Sequence, residues 1–87
     1  MESYKLHLLR LAREGVVEVP GVPLRAYALT APEGPRASAF YLLLEGELVI
    51  DLPEGRYLHL RRGEGAVVRE PHRLLPVAGA VLLELPV

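Results

Sequence analysis

The sequence predicts an all-β fold, a sandwich or barrel formed by a single domain over residues 1–87. From Val16 onward, short apolar runs are interrupted by glycine or proline about every ten residues, a spacing typical of strands and turns rather than of βαβ units. Eight glycines and eight prolines supply the turns. Several runs alternate apolar and polar residues, so each of them has one face suited to a core.

The N-terminal segment, residues 1–15, leaves two alternatives open, and the barrel proper is assigned to residues 16–87. Residues 4–14 form either an amphipathic helix that stops at Gly15 or a strand in which leucines alternate with polar residues. The ending Ala-Arg-Glu-Gly slightly favours a short helix.

The first strands are predicted over residues 16–19 and 23–30, with Pro20 and Gly21 at the turn between them. We interpret PEGP at 32–35 as a loop, because each proline removes a backbone hydrogen-bond donor.

A doubly apolar strand, AFYLLLE at 39–45, follows and must be covered on both faces. Gly46 allows a bend or bulge before the alternating strand at 47–51. LPEG at 52–55 suits a type I turn that closes a hairpin onto residues 56–61. The remaining chain is interpreted as a strand at 65–68, a turn REPH at 69–72 and strand-like runs to the end.

Composition excludes several classes of function. Ten basic and eleven acidic residues give a net charge of −1, which offers no electrostatic footprint for nucleic acid. There are no cysteines, so disulfides and thiolate metal sites are excluded. No apolar stretch is long enough for a signal peptide or a membrane span, and we expect a cytoplasmic protein with no membrane partner. The lack of Asn and Gln fits a thermophilic source.

The order of features between Phe40 and Leu85 resembles the conserved stretch of a small cupin. An apolar strand runs into Glu45-Gly46, a hairpin follows, and a second Gly-acid step at Gly63-Glu64 leads to a strand and then Pro71-His72. The resemblance covers about half of the chain and implies a jelly-roll β-barrel, the metal-binding architecture of that superfamily.

The metal-binding motifs of cupins are degenerate in this sequence. The resemblance places the motif's glutamate position at Ala39 and its histidine positions within residues 34–36, where no transition-metal ligand occurs. The second motif keeps His72, the only matching ligand position, in an interval about two residues shorter than usual. One imidazole does not hold a first-row metal tightly, so we expect no metal and no cofactor, with His72 as a turn residue whose ring is hydrogen-bonded at a barrel mouth.

Two candidate sites remain. Tyr41 should face the interior by its parity with Ala39, and with Arg36 and His72 near the mouth it would form a polar trio for a carboxylate ligand. Equally, Tyr41 and the leucines could fill the barrel as a dry core. On the opposite face, Phe40, Leu42 and Leu44 need cover from the N-terminal segment or from a second subunit, so they are candidate residues of a homodimer interface.

The sequence therefore favours a non-catalytic, metal-free cupin-like barrel that binds a small molecule or a protein partner as a homodimer. The alternative is a minimal metal-dependent cupin enzyme of the isomerase or dioxygenase type that uses His72 as one ligand.

Overall fold

The computed structural model describes residues 3–87, which form one helix and seven strands with 56% of the residues in strands. The elements in chain order are α1 (Leu8–Glu14), β1 (Val17–Glu18), β2 (Arg25–Leu29), β3 (Glu33–Arg36), β4 (Ala39–Asp51), a short 3-10 turn (Pro53–Gly55), β5 (Tyr57–Arg61), β6 (Gly65–Val68) and β7 (His72–Pro86). The prediction of an all-β fold with a short N-terminal helix is confirmed.

Two long antiparallel strands, β4 and β7, form the axis of the fold. They pair from Ala39 opposite Pro86 to Asp51 opposite Arg73. The first part of β4 also pairs with β6 and its last part with β5, while the end of β7 pairs with β2 and its beginning with β3. The sheet therefore consists of a first half-sheet (β1, β2, the end of β7, the start of β4, and β6) and a second half-sheet (β3, the start of β7, the end of β4, and β5).

The bend between the half-sheets lies at Gly46, as the sequence predicts. The register of β4 against β7 shifts on both sides of Gly46, and β7 bends at Ala78 and Gly79, which both have positive φ. The shift between Leu43 and Glu45 adds one residue to β4 and changes its parity, whereas the shift after Gly46 adds two residues to β7 and leaves the parity unchanged. Leu48 and Ile50 therefore face the same interior as Tyr41 and Leu43. Folding at this line brings the two half-sheets face to face, although the strands of residues 3–87 are not closed into a continuous ring.

The core lies between the half-sheets. Its buried members are Tyr27, Leu29, Ala39, Tyr41, Leu43, Leu48, Ile50, Leu60, Val68, Leu74, Ala80 and Leu82. A second, smaller cluster lies on the outer face of the first half-sheet, where Ala12 of α1 packs against Ala26 and Val81, with Leu44 at its margin. The N-terminal helix therefore covers part of the outer face that the sequence left uncovered.

Two predicted turns are wrong. PEGP at 32–35 was expected to be a loop, but its last three residues belong to β3. This strand pairs only with β7, through Glu33 and Arg36, so the donor that Pro35 lacks is not required there. At LPEG the hairpin forms, yet Glu54 has a φ of 64°, which a type I turn does not allow.

No helix of residues 3–87 is long and apolar enough to cross a membrane.

Candidate functional site

His72 is the first residue of β7, and its side chain points into the core. The interpretation of His72 as a turn residue is therefore wrong: the alternation of β7 buries His72 and Leu74 and exposes Arg73 between them. Only 2% of His72 is exposed. The turn ends one residue earlier than predicted because the backbone of His72 already lies opposite Arg36 of β3.

Both ring nitrogens of His72 are engaged by the protein itself. Nδ1 lies 2.7 Å from the carbonyl oxygen of Glu70, and Nε2 lies 2.6 Å from the hydroxyl oxygen of Tyr41. A carbonyl oxygen can only accept, so Nδ1 donates to it; in the tautomer that carries this single proton, Nε2 accepts from the tyrosine hydroxyl. The two rings also meet edge to face, with centroids 5.4 Å apart. Both ring nitrogens are therefore hydrogen-bonded within the protein, and neither offers a free lone pair in this arrangement.

Glu84 is the centre of a second polar cluster at the same end of the interior. Its Oε1 accepts from the Tyr27 hydroxyl at 2.6 Å and from Nη1 of Arg36 at 2.8 Å. Its Oε2 accepts from Nη2 of Arg25 at 3.3 Å. Arg36 also donates to Glu33 at 2.7 Å. The network therefore joins β2, β3 and β7 through one carboxylate.

The predicted trio is brought to one end of the fold but not into one hydrogen-bonded group. Tyr41 and His72 bond directly, while Arg36 is occupied by Glu84 and Glu33. The carboxylate that the trio was expected to receive from a ligand is thus supplied to Arg36 by the chain itself. That the trio binds a ligand stays a prediction.

Sequence reasoning missed Glu84, although a signal was present. In AVLLELP, Ala80, Leu82 and Glu84 share the face that opposes Val81 and Leu83. An acidic residue on the core-facing parity of a strand is rare unless it is paired, so the position of Glu84 by itself indicates a cationic partner that points inward.

Burial keeps the hydroxyls of Tyr41 and Tyr27 protonated. It raises the pKa of Tyr41 to about 12, and the negative charge of Glu84 acts in the same direction. Burial also raises the pKa of Tyr27 far above its ordinary value, and the hydrogen bond to Glu84 adds to the effect. Both hydroxyls are therefore donors at any physiological pH.

The residues at the degenerate cupin motif do not fit a transition metal. Ala39 is buried without a donor atom, and Arg36 brings a positive charge to the position of a ligand. His59 is on the other side of β5, where it pairs with Glu47 at 2.7 Å, and His7 accepts the amide of Arg10 at the start of α1. Across residues 3–87, no three His, Asp or Glu side chains are grouped as metal ligands would be.

The candidate interface residues lie on the outer face of the first half-sheet. Leu44 packs at the margin of α1, whereas Phe40 and Leu42 remain half-exposed. Phe40 lies beside Gly65, since a Cβ there would come within 3.1 and 3.2 Å of two of its ring carbons. Phe40 stands opposite Val67 of β6, which is 53% exposed, and opposite Leu85 of β7.

Comparison with solved structures agrees with this architecture. A Neisseria meningitidis protein aligns with 93% of this chain and 96% of its own, at a TM-score of 0.76 and 20% identity. A cupin-2 domain containing protein from Shewanella frigidimarina aligns with 82% of this chain and 76% of its own, at a TM-score of 0.64 and 14% identity. A Cupin 2 conserved barrel domain protein from Salinispora arenicola covers 97% of this chain and 86% of its own, at a TM-score of 0.59 and 12% identity.

The chain has the cupin fold. The resemblance predicted from Phe40 to Leu85 is thereby confirmed for the architecture. No family model matches the sequence, and no curated protein matches it either. At these identities the likeness concerns the cupin fold alone.

Proposed function

We propose that this protein is a non-catalytic, metal-free binding protein with a cupin fold, which binds a small molecule or a protein partner and acts as a homodimer. The observation that supports this most strongly is the state of His72, the one histidine on the inner face. Both of its nitrogens are hydrogen-bonded within the protein, to Tyr41 and to the Glu70 carbonyl.

Recruiting His72 to a metal would be unfavourable. Coordination at Nε2 would displace the Tyr41 hydroxyl, which is fully buried and has no other hydrogen-bond partner within residues 3–87. An unsatisfied buried hydroxyl costs about 1–3 kcal/mol, and a single imidazole would not recover that cost without further ligands. The interior is instead filled by side chains, with Tyr41, Leu43 and Leu48 fully buried.

Metal content tests the proposal directly. Untagged protein should contain no stoichiometric iron, manganese, zinc or nickel, and His72→Ala should not change this. His59→Ala is the matched control, since His59 is a solvent-exposed histidine of β5. Stoichiometric metal that is lost in His72→Ala and retained in His59→Ala would overturn the proposal in favour of the minimal metal-dependent enzyme.

The dimer part of the proposal concerns the outer apolar face around Phe40, Leu42, Val67 and Leu85. An 87-residue domain buries a smaller fraction of its surface than a larger domain does, so covering this face with a second copy would add stability. Sedimentation equilibrium should show a dimer whose Kd rises at least about tenfold in Phe40→Ser. Val77→Ser, at an exposed apolar position near the bend of β7, should leave it unchanged. A monomer at high micromolar concentration would count directly against a homodimer.

A further inference from the structure

A cleft of about 680 Å³ lies outside the core, between the β1–β2 connection and the end of β7. Its walls are the β1–β2 connection, residues 19–24, together with Glu18, Arg25 and Glu84. Its volume is in the range of sites that hold small organic molecules. Tyr41 and His72 are not among its walls, so it differs from the site that the sequence predicted.

The β1–β2 connection forms a preformed wall. The amide of Val22 donates to the carbonyl of Val19 at 3.0 Å, and Pro20 followed by Gly21, with a φ of 79°, is the sequence of a type II turn. Further backbone hydrogen bonds join Val19 to Leu24 and Leu24 to Val22. A wall fixed in this way loses little conformational entropy when a ligand binds.

The wall is apolar and accessible. Valine, proline and leucine side chains provide most of it, and Val22 is 45% exposed. A hydrocarbon chain or ring that packs against this surface would remove apolar area of both the ligand and the wall from water.

Arg25 gives the cleft a charged end with spare donors. In the described part of the chain its guanidinium makes one hydrogen bond, the 3.3 Å contact to Glu84, which is the longest of the Glu84 network. Glu84 is already held by Tyr27 and Arg36 at shorter distances. The guanidinium lies 5.3 Å from the centre of the Tyr27 ring, and 41% of the Arg25 side chain is exposed.

Glu18 defines which anion fits. It stands opposite Arg25 in the β1–β2 register and is exposed, with no hydrogen bond to Arg25 among the described contacts. A dianion such as a phosphate monoester would be repelled by both Glu18 and Glu84. A planar monocarboxylate matches the fork of one guanidinium and carries half that charge.

We infer that this cleft binds a small organic monocarboxylate, with its apolar body against the β1–β2 wall and its carboxylate on Arg25. The inference rests on the proposed binding function and names the class of ligand and its site. Arg25 holds the carboxylate, the wall holds the apolar body, and Glu18 limits the charge of the head group.

The experiment titrates the isotopically labelled protein with 4-phenylbutanoate, followed by amide chemical shifts. We expect saturable shifts at Gly21 and Val22, and none at Gly55, which is remote from the cleft walls. The uncharged 4-phenylbutan-1-ol should bind at least about tenfold more weakly, and acetate should not saturate at millimolar concentration.

Four variants test the assignment. Arg25→Gln should weaken 4-phenylbutanoate binding at least about tenfold, and Glu18→Gln should strengthen it about twofold to fivefold, because a competing carboxylate is removed. Val22→Asp changes the wall without touching the Glu84 network and should also weaken binding. Arg56→Gln, an exposed arginine paired with Glu70, is the matched control and should have no effect.

Equal binding of the acid and the alcohol, no saturation by either, or an unchanged affinity in Arg25→Gln would overturn the inference. Saturable shifts confined to the Tyr41 and His72 end would also overturn it, while leaving the binding function in place. The proposed function fails separately, by stoichiometric metal that depends on His72.

Discussion

Tyr41→Phe is the substitution that tests the buried pair most directly. It removes only the hydroxyl and keeps the ring, which is fully buried in the core. The substitution removes the 2.6 Å hydrogen bond to Nε2 of His72. That nitrogen would then be unpaired in a residue that is only 2% exposed. An unpaired buried acceptor costs about 1–3 kcal/mol, so we expect the free energy of unfolding to fall by about 2 kcal/mol.

The assay is urea unfolding at neutral pH, with the midpoint shifted and the slope m unchanged. For a domain of 87 residues this loss corresponds to a Tm about 10 °C lower. Tyr57→Phe is the matched control, because Tyr57 is 65% exposed and makes no hydrogen bond with its hydroxyl in the described structure; it should change stability by less than about 0.5 kcal/mol.

A double-mutant cycle separates the bond from the general cost of each change. Because Tyr41 and His72 satisfy one another, Tyr41→Phe combined with His72→Leu should destabilise by less than the sum of the two single changes, with a coupling of about 1–2 kcal/mol. If Tyr41→Phe is as neutral as Tyr57→Phe, the bond does not hold His72 in solution, and the reasoning against a metal ligand at His72 fails with it.

Three further outcomes are expected. Because the pKa of Tyr41 is about 12 and that of Tyr27 is also raised, the folded state keeps protons that the unfolded chain releases above about pH 10. The contribution of these two tyrosines to the free energy of unfolding is therefore complete below that pH. Above it, the free energy of unfolding, measured by denaturant titration, should fall by about 1.4 kcal/mol per pH unit for each tyrosine. A pH-independent stability up to pH 12 would contradict this. Gly46→Ala should lower the free energy of unfolding by more than about 2 kcal/mol, since its Cβ would lie 2.4 Å from a carbonyl oxygen of β7 at a φ of 84°. Gly55→Ala, with a φ of 73° and nothing within 4 Å of the added Cβ, should lower it by about 1 kcal/mol. Equal losses of stability in thermal melts of the two variants would refute the close approach at Gly46. Ala12→Asp places a charge at a residue that is 1% exposed, in the contact between α1 and the sheet. It should destabilise the fold by about 3 kcal/mol or more and expose the helix to proteolysis. Unchanged proteolysis would show that α1 does not pack against the sheet.

The candidate site was only partly predictable from the sequence. The parity of Tyr41 with Ala39 on a continuous strand places both on the same face, and the structure buries both. The pairing of Tyr41 with His72 joins residues 31 positions apart and depends on how the two half-sheets face each other across the core, since Tyr41 lies opposite Glu84 rather than His72 in the β4–β7 register. No local pattern contains that alignment.

The sequence by itself determined the all-β class, the bend at Gly46 and the shared inner face of Ala39, Tyr41 and Leu43, because these follow from a two-residue period and from the φ that glycine allows. Only the tertiary structure decided that Glu33–Arg36 pairs as an edge strand, that His72 begins β7, and that Glu84 accepts hydrogen bonds from Arg36. Each of these depends on which distant strand lies alongside, and a buried polar side chain takes its partner from that neighbour rather than from its own segment.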